Sequence, residues 1–101
     1  MDVTLQYFDG CPNWQAVHEL VRRALEEVGD GSVVTLQAVP TAEEAEAVGF
    51  RGSPTVLVDG VDPFADPSAP VGLSCRVFRT PSGLAGAPTL EQLVVALGAH
   101  P

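Results

Sequence analysis

A single α/β domain is the fold class the 101-residue sequence predicts, and three features of the chain predict it. Residues 3–8, VTLQYF, alternate as a strand does, with Val3, Leu5 and Tyr7 on one side and Thr4, Gln6 and Phe8 on the other. Beyond a break at Asp9 and Gly10, apolar residues recur at helical spacing from Trp14 to Val28. A second β-prone run, VVTLQAV, follows at residues 33–39. Two strands joined through a helix are normally parallel with a right-handed crossover, so the first half reads as a βαβ unit. The length suffices for one modest core, and 46% hydrophobic against 18% charged residues is the composition of a folding chain.

Each element has its own local signals. Pro12 suits the first position of a helix, where its missing N–H would have no partner, and this leaves Cys11 at the cap. The apolar stripe of that helix is Trp14, Val17, Val21, Ala24, Leu25 and Val28, opposite Gln15, Glu19, Arg22, Arg23, Glu26 and Glu27, and Gly29 ends it. In the second strand Val34, Leu36 and Ala38 oppose Val33, Thr35, Gln37 and Val39. PTAEEAEAVG starts a short helix with a capping box, Thr41 to Glu44, and stops at Gly49. PTVLVDG is a third strand closed by the turn Asp59-Gly60. VDPF is the nearest candidate for a fourth, antiparallel strand, confined to an edge or a bulge by Pro63. Residues 65–87, with Pro67, Pro70, Pro81, Gly72, Gly83 and Gly86 around the island CRVFR, read as an insertion before the last helix. That helix opens with a second box, Thr89 to Gln92, and carries Leu90, Leu93, Val94 and Leu97 on one stripe. The order is β-α-β-α-β-(β)-α.

Thirteen acidic and five basic side chains give a net charge of −8, and all five cations are arginine. Such a chain repels phosphate backbones and anionic membranes, which argues against nucleic acid and membrane as partners. MDVTLQYFDG lacks the basic start and long apolar centre of a signal peptide, and no apolar run approaches the ~20 residues that span a bilayer, so the expected compartment is the cytoplasm. In that compartment two cysteines serve as free, catalytic or metal-binding groups more often than as a permanent staple.

Cys11 is the first candidate for chemistry. A thiolate at a helix N-terminus is stabilised by the helix dipole and unpaired N–H groups, which lower its pKa from about 8.5. Asp9 opposes this electrostatically, and Arg51 and Arg76 offset Asp9 if they point inward. The alternative is a small buried residue at a turn. His18, two helical turns along, is about 10 Å away and reads as a surface residue, and His100 needs no role. Two cysteines and scattered histidines do not give a zinc site, and no phosphate-binding glycine loop or nucleophile elbow is present. No cofactor is expected.

With Cys11 at the cap of the first helix and Pro54 opening the third strand after GS, the chain resembles the thioredoxin superfamily, well over residues 3–60 and 89–98 and poorly over 61–88. Within it, the stretches YFDGCPNW, GSPTV and CRVFRT resemble a group of small bacterial thioredoxin-like proteins, some of them called alkylmercury lyases. The resemblance implies a βαβαββα three-layer sandwich, a cis Pro54 facing Cys11, a Ser53 backbone that pairs with an extended thiol substrate, and Thr55 at the base of the third strand. The second cysteine of a typical thioredoxin is replaced by Trp14, which reads as core or as a wall of the substrate site. A disulfide at Cys11 must then involve a small thiol, another protein, or Cys75.

Whether Cys75 reaches Cys11 depends on the fourth strand. If VDPF forms it, the insertion emerges beside Cys11; if CRVFR forms it, Cys75 lies about 15 Å away at ~3.3 Å per residue, too far for a disulfide. The first register is preferred. The expected function is a thiol-disulfide oxidoreductase in which Cys11 attacks and Cys75 resolves, with a monothiol route if Cys75 is remote, acting on protein or low-molecular-weight thiols and disulfides. Two alternatives stand beside it: a soft-metal or organomercury site made of Cys11, Cys75 and Asp9, and a non-catalytic adaptor that kept the fold.

Overall fold

The computed structural model describes residues 1–66 and 68–98, so Pro67 and His100, with the readings made of them, lie outside the described residues. The chain forms a small mixed α/β domain in the order β1 (Val3–Tyr7), α1 (Trp14–Glu27), β2 (Val34–Ala38), α2 (Ala42–Val48), β3 (Thr55–Val58), β4 (Phe78–Thr80), β5 (Gly83–Ala85) and α3 (Leu90–Gly98). β1 is central in a three-stranded sheet of order β2-β1-β3, parallel to β2 with Leu5 opposite Leu36, and antiparallel to β3 with Leu5 opposite Val56. β4 and β5 form a separate antiparallel pair.

Alternation in β1 decides the layering. Val3 and Leu5 enter the main core with Val56 and Val58 of β3, Val17, Val21, Ala24 and Leu25 of α1, and Leu93 and Leu97 of α3. The stripes read from the sequence for α1 and α3 are the faces that are buried. At α3 the box is reciprocal: the Thr89 N–H donates to Gln92 Oε1 at 2.9 Å and the Gln92 N–H to Thr89 Oγ1 at 3.1 Å. A second core of Val39, Ala45 and Phe50, with Phe8 against it, fixes α2. Thr41 caps α2 by accepting from the Glu44 N–H at 3.1 Å, and Gly49 ends it at φ +70°. None of the described helices is long and apolar enough to cross a membrane.

Three expectations are corrected. α1 begins at Trp14 with Asn13 as its cap, so Cys11 and Pro12 precede the helix; the Cys11 N–H turns back to the Phe8 carbonyl at 3.2 Å instead. VDPF forms no strand. Only Val61 pairs back, with Val58 across the turn, because Pro63 has no N–H to give and the Asp62 carboxylate takes the Phe64 N–H at 2.9 Å in a local turn. CRVFR is not the fourth strand of the main sheet either: Phe78 and Arg79 belong to β4, whose partner is β5, a strand of GLA that propensity does not suggest.

Candidate functional site

The Ser53-Pro54 peptide bond, just ahead of β3, is cis, as the resemblance implies. Ser53 is fully buried, and all its polar groups are used. Its N–H donates to the Ser74 carbonyl at 2.7 Å, and its carbonyl accepts the Arg76 N–H at 2.9 Å and the Cys11 thiol at 3.4 Å. Its hydroxyl accepts the Phe8 N–H at 3.3 Å. Ser74 and Arg76 thus hold Ser53 from both sides, a one-residue parallel bridge that puts Cys75 opposite Ser53. Where the sequence reading put the backbone of an extended substrate, the structure has the chain's own residues 74–76.

This bridge brings the two cysteines together. Both are free thiols. The Cys75 pKa is raised above the ordinary thiol range, first through hydrogen bonding to the neighbouring Cys11 thiol, then by burial and by the charge of Cys11. The Cys11 thiol itself donates to the carbonyl of Ser53, the residue bridged to Cys75. Their environments differ: Cys11 is 0% exposed, whereas Cys75 is exposed.

Arg76 and Gly52 hold the segment in place. The guanidinium, 7% exposed, pairs with Asp62 at 2.6 Å, donates to Thr55 Oγ1 at 3.3 Å and to the Phe64 carbonyl, and lies 4.9 Å from the centre of the Phe78 ring. Phe78 in turn meets Phe64 edge to face at 5.7 Å. Removing one side of so buried a pair costs about 3–5 kcal/mol, the lower figure suiting an Asp62 that keeps some solvent contact. Gly52, at φ +122°, lets the chain pass: a Cβ there would stand 3.1 Å from Arg76 Cβ and 3.2 Å from its Cα.

The other residues singled out in the sequence do different work. Thr55 is buried and does open β3, but its hydroxyl donates to the Gly52 carbonyl at 2.7 Å and accepts from Arg76, so it braces the turn. Trp14, half-buried, stacks on Tyr7 at 4.1 Å and packs on the main core. Arg51 reaches the Ala69 carbonyl in the insertion. Arg76 does point inward, and its guanidinium is taken up by Asp62, Thr55 and Phe64. Asp9 is exposed, and among the described residues no three His, Cys, Asp or Glu side chains gather to hold a metal ion, so Cys11, Cys75 and Asp9 do not make the soft-metal constellation. Sequence reasoning missed Asp62, Phe64, Gly52 and Ser74. Only Gly52, directly before Ser-Pro, carried a local sign of close approach.

No family model, curated protein or solved structure matches the chain.

Proposed function

We propose that the protein is a thiol-disulfide oxidoreductase whose redox pair is Cys11 and Cys75, built on a thioredoxin-like scaffold. The observation that carries this reading is that both cysteines meet at Ser53: Cys75 is bridged to it, and its carbonyl accepts the Cys11 thiol at 3.4 Å. The parallel β1-α1-β2 start, the antiparallel β3 and a cysteine between β1 and α1 whose sulfur meets the Ser53 carbonyl support the scaffold.

In the reaction proposed, the two thiols become one disulfide while an external disulfide is reduced to two thiols. Two electrons leave the pair, and its two protons end on the departing thiols or on solvent. The helix-capped thiolate does not enter this account. What favours the chemistry is proximity, which makes the closing step intramolecular.

The test is to treat reduced protein with glutathione disulfide and weigh it intact. The expected product is lighter by two hydrogens and carries no glutathione, and Cys75→Ala gives no such product. Stable glutathione adducts on both sulfurs would indicate the monothiol route, and no reaction at either would leave the adaptor.

A further inference from the structure

Resting on that dithiol reading, we propose that Cys75 is the sulfur through which an external disulfide enters, and that Cys11 is the resolving sulfur, reacting only with Cys75. The backbone at Ser53 is closed to outside partners. Both its N–H and its carbonyl are taken by Ser74 and Arg76, so no incoming strand can pair there while the segment is seated. The Cys11 sulfur lies beneath that bridge, wholly buried, with its proton directed at the Ser53 carbonyl. An in-line attack on a disulfide needs the approaching partner to line up with the attacking sulfur, and Cys11, with no exposed surface, offers no such approach. Cys75, bridged to the Ser53 that Cys11 donates to, is exposed to solvent.

The step sequence follows. Cys75 loses its proton to solvent and attacks one sulfur of the external disulfide; a bond forms from Cys75 to that sulfur, the external S–S bond breaks, and one thiolate leaves. Cys11 then gives up its proton, to solvent or to that thiolate, and attacks the Cys75 sulfur. The Cys11–Cys75 bond forms and the second external thiolate departs. The two thiols are oxidised by two electrons, which the external disulfide takes up. The partner this arrangement suits is a disulfide recognised at an exposed sulfur, and not a peptide held by strand addition at Ser53.

Trapping separates the order of attack from the existence of the pair. Cys11→Ala and Cys75→Ala are each mixed with glutathione disulfide, and the rate of adduct formation is followed by intact mass. The expected result is a stable adduct on Cys75 in Cys11→Ala, and an adduct on Cys11 in Cys75→Ala roughly 100-fold slower, because a buried thiol reacts only from a locally opened state. Denaturation should erase that difference. In case either variant folds poorly, wild-type protein is given a substoichiometric pulse of iodoacetamide and digested with trypsin, which places Cys11 and Cys75 on peptides ending at Arg22 and Arg76; label is expected on the latter. Equal or faster capture at Cys11, in the variants or in the pulse, overturns the proposed order. If the order holds but wild-type protein never yields the product lighter by two hydrogens, the redox pair itself fails while Cys75 remains the entry sulfur.

Discussion

At Cys11 the thiol donates to the Ser53 carbonyl, and Cys75 is bridged to the same Ser53. The Cys75 pKa is raised, first through hydrogen bonding to Cys11, with burial and the charge of Cys11 adding to it. The sign of a pH experiment follows. In wild-type protein the alkylation rate of Cys75 should rise with pH through a midpoint above that of a free thiol. Replacing Cys11 by Ala removes the hydrogen bond and the charge, so the midpoint should move to lower pH and Cys75 should react faster near neutrality. A midpoint that stays put or moves up, measured by iodoacetamide trapping across pH, would contradict the hydrogen-bonded pair. Arg76 shows what a single residue does not disclose: in sequence it stands beside Cys75 as a candidate electrostatic partner, but its side chain is committed to Asp62 and Phe64.

Between elements, the decisive contact is made by a segment with no regular structure. Residues 74–76 run beside Ser53 only because Gly52 carries no Cβ and adopts a conformation that L side chains rarely take. Gly52→Ala should therefore cost about 1–3 kcal/mol in chemical unfolding. In the fraction that folds it should also slow formation of the Cys11–Cys75 disulfide, because the added methyl pushes Arg76, and with it Cys75, off Ser53. Unchanged stability and an unchanged rate of disulfide formation would mean that the bridge does not position Cys75. The helices were legible in the sequence because their signals are local: Thr41 with Glu44, Thr89 with Gln92, and the stripe from Val17 to Leu25 each act within one element. The start of α1 was misplaced by two residues, at Pro12 instead of Trp14, because a proline after a turn fits either the turn or the first helical position, and the Cys11 N–H chose the turn. The insertion was not legible for the opposite reason. Its geometry is set by Asp62 with Arg76 and by Ser53 with Ser74, partners distant in sequence that no period or cap announces.

Over the whole molecule, one arrangement links these scales. Cys11 is buried between β1 and α1, while Arg76, anchored on Asp62 and Phe78, holds the neighbouring Cys75 opposite Ser53, whose carbonyl accepts the Cys11 thiol. The fold thus brings together two cysteines that are distant in sequence. What folding contributes is effective concentration: in the unfolded chain the sulfurs meet only by closing a long loop, whereas in the native state they are already in contact. The most direct measurement is an equilibrium titration in glutathione buffers, under native conditions and in guanidinium, with the Cys11–Cys75 disulfide quantified by intact mass. Native protein should form it at a glutathione disulfide level at least about tenfold lower than the unfolded chain requires. Equal midpoints in the two conditions, or native protein that accumulates only mixed disulfides with glutathione, would contradict the account.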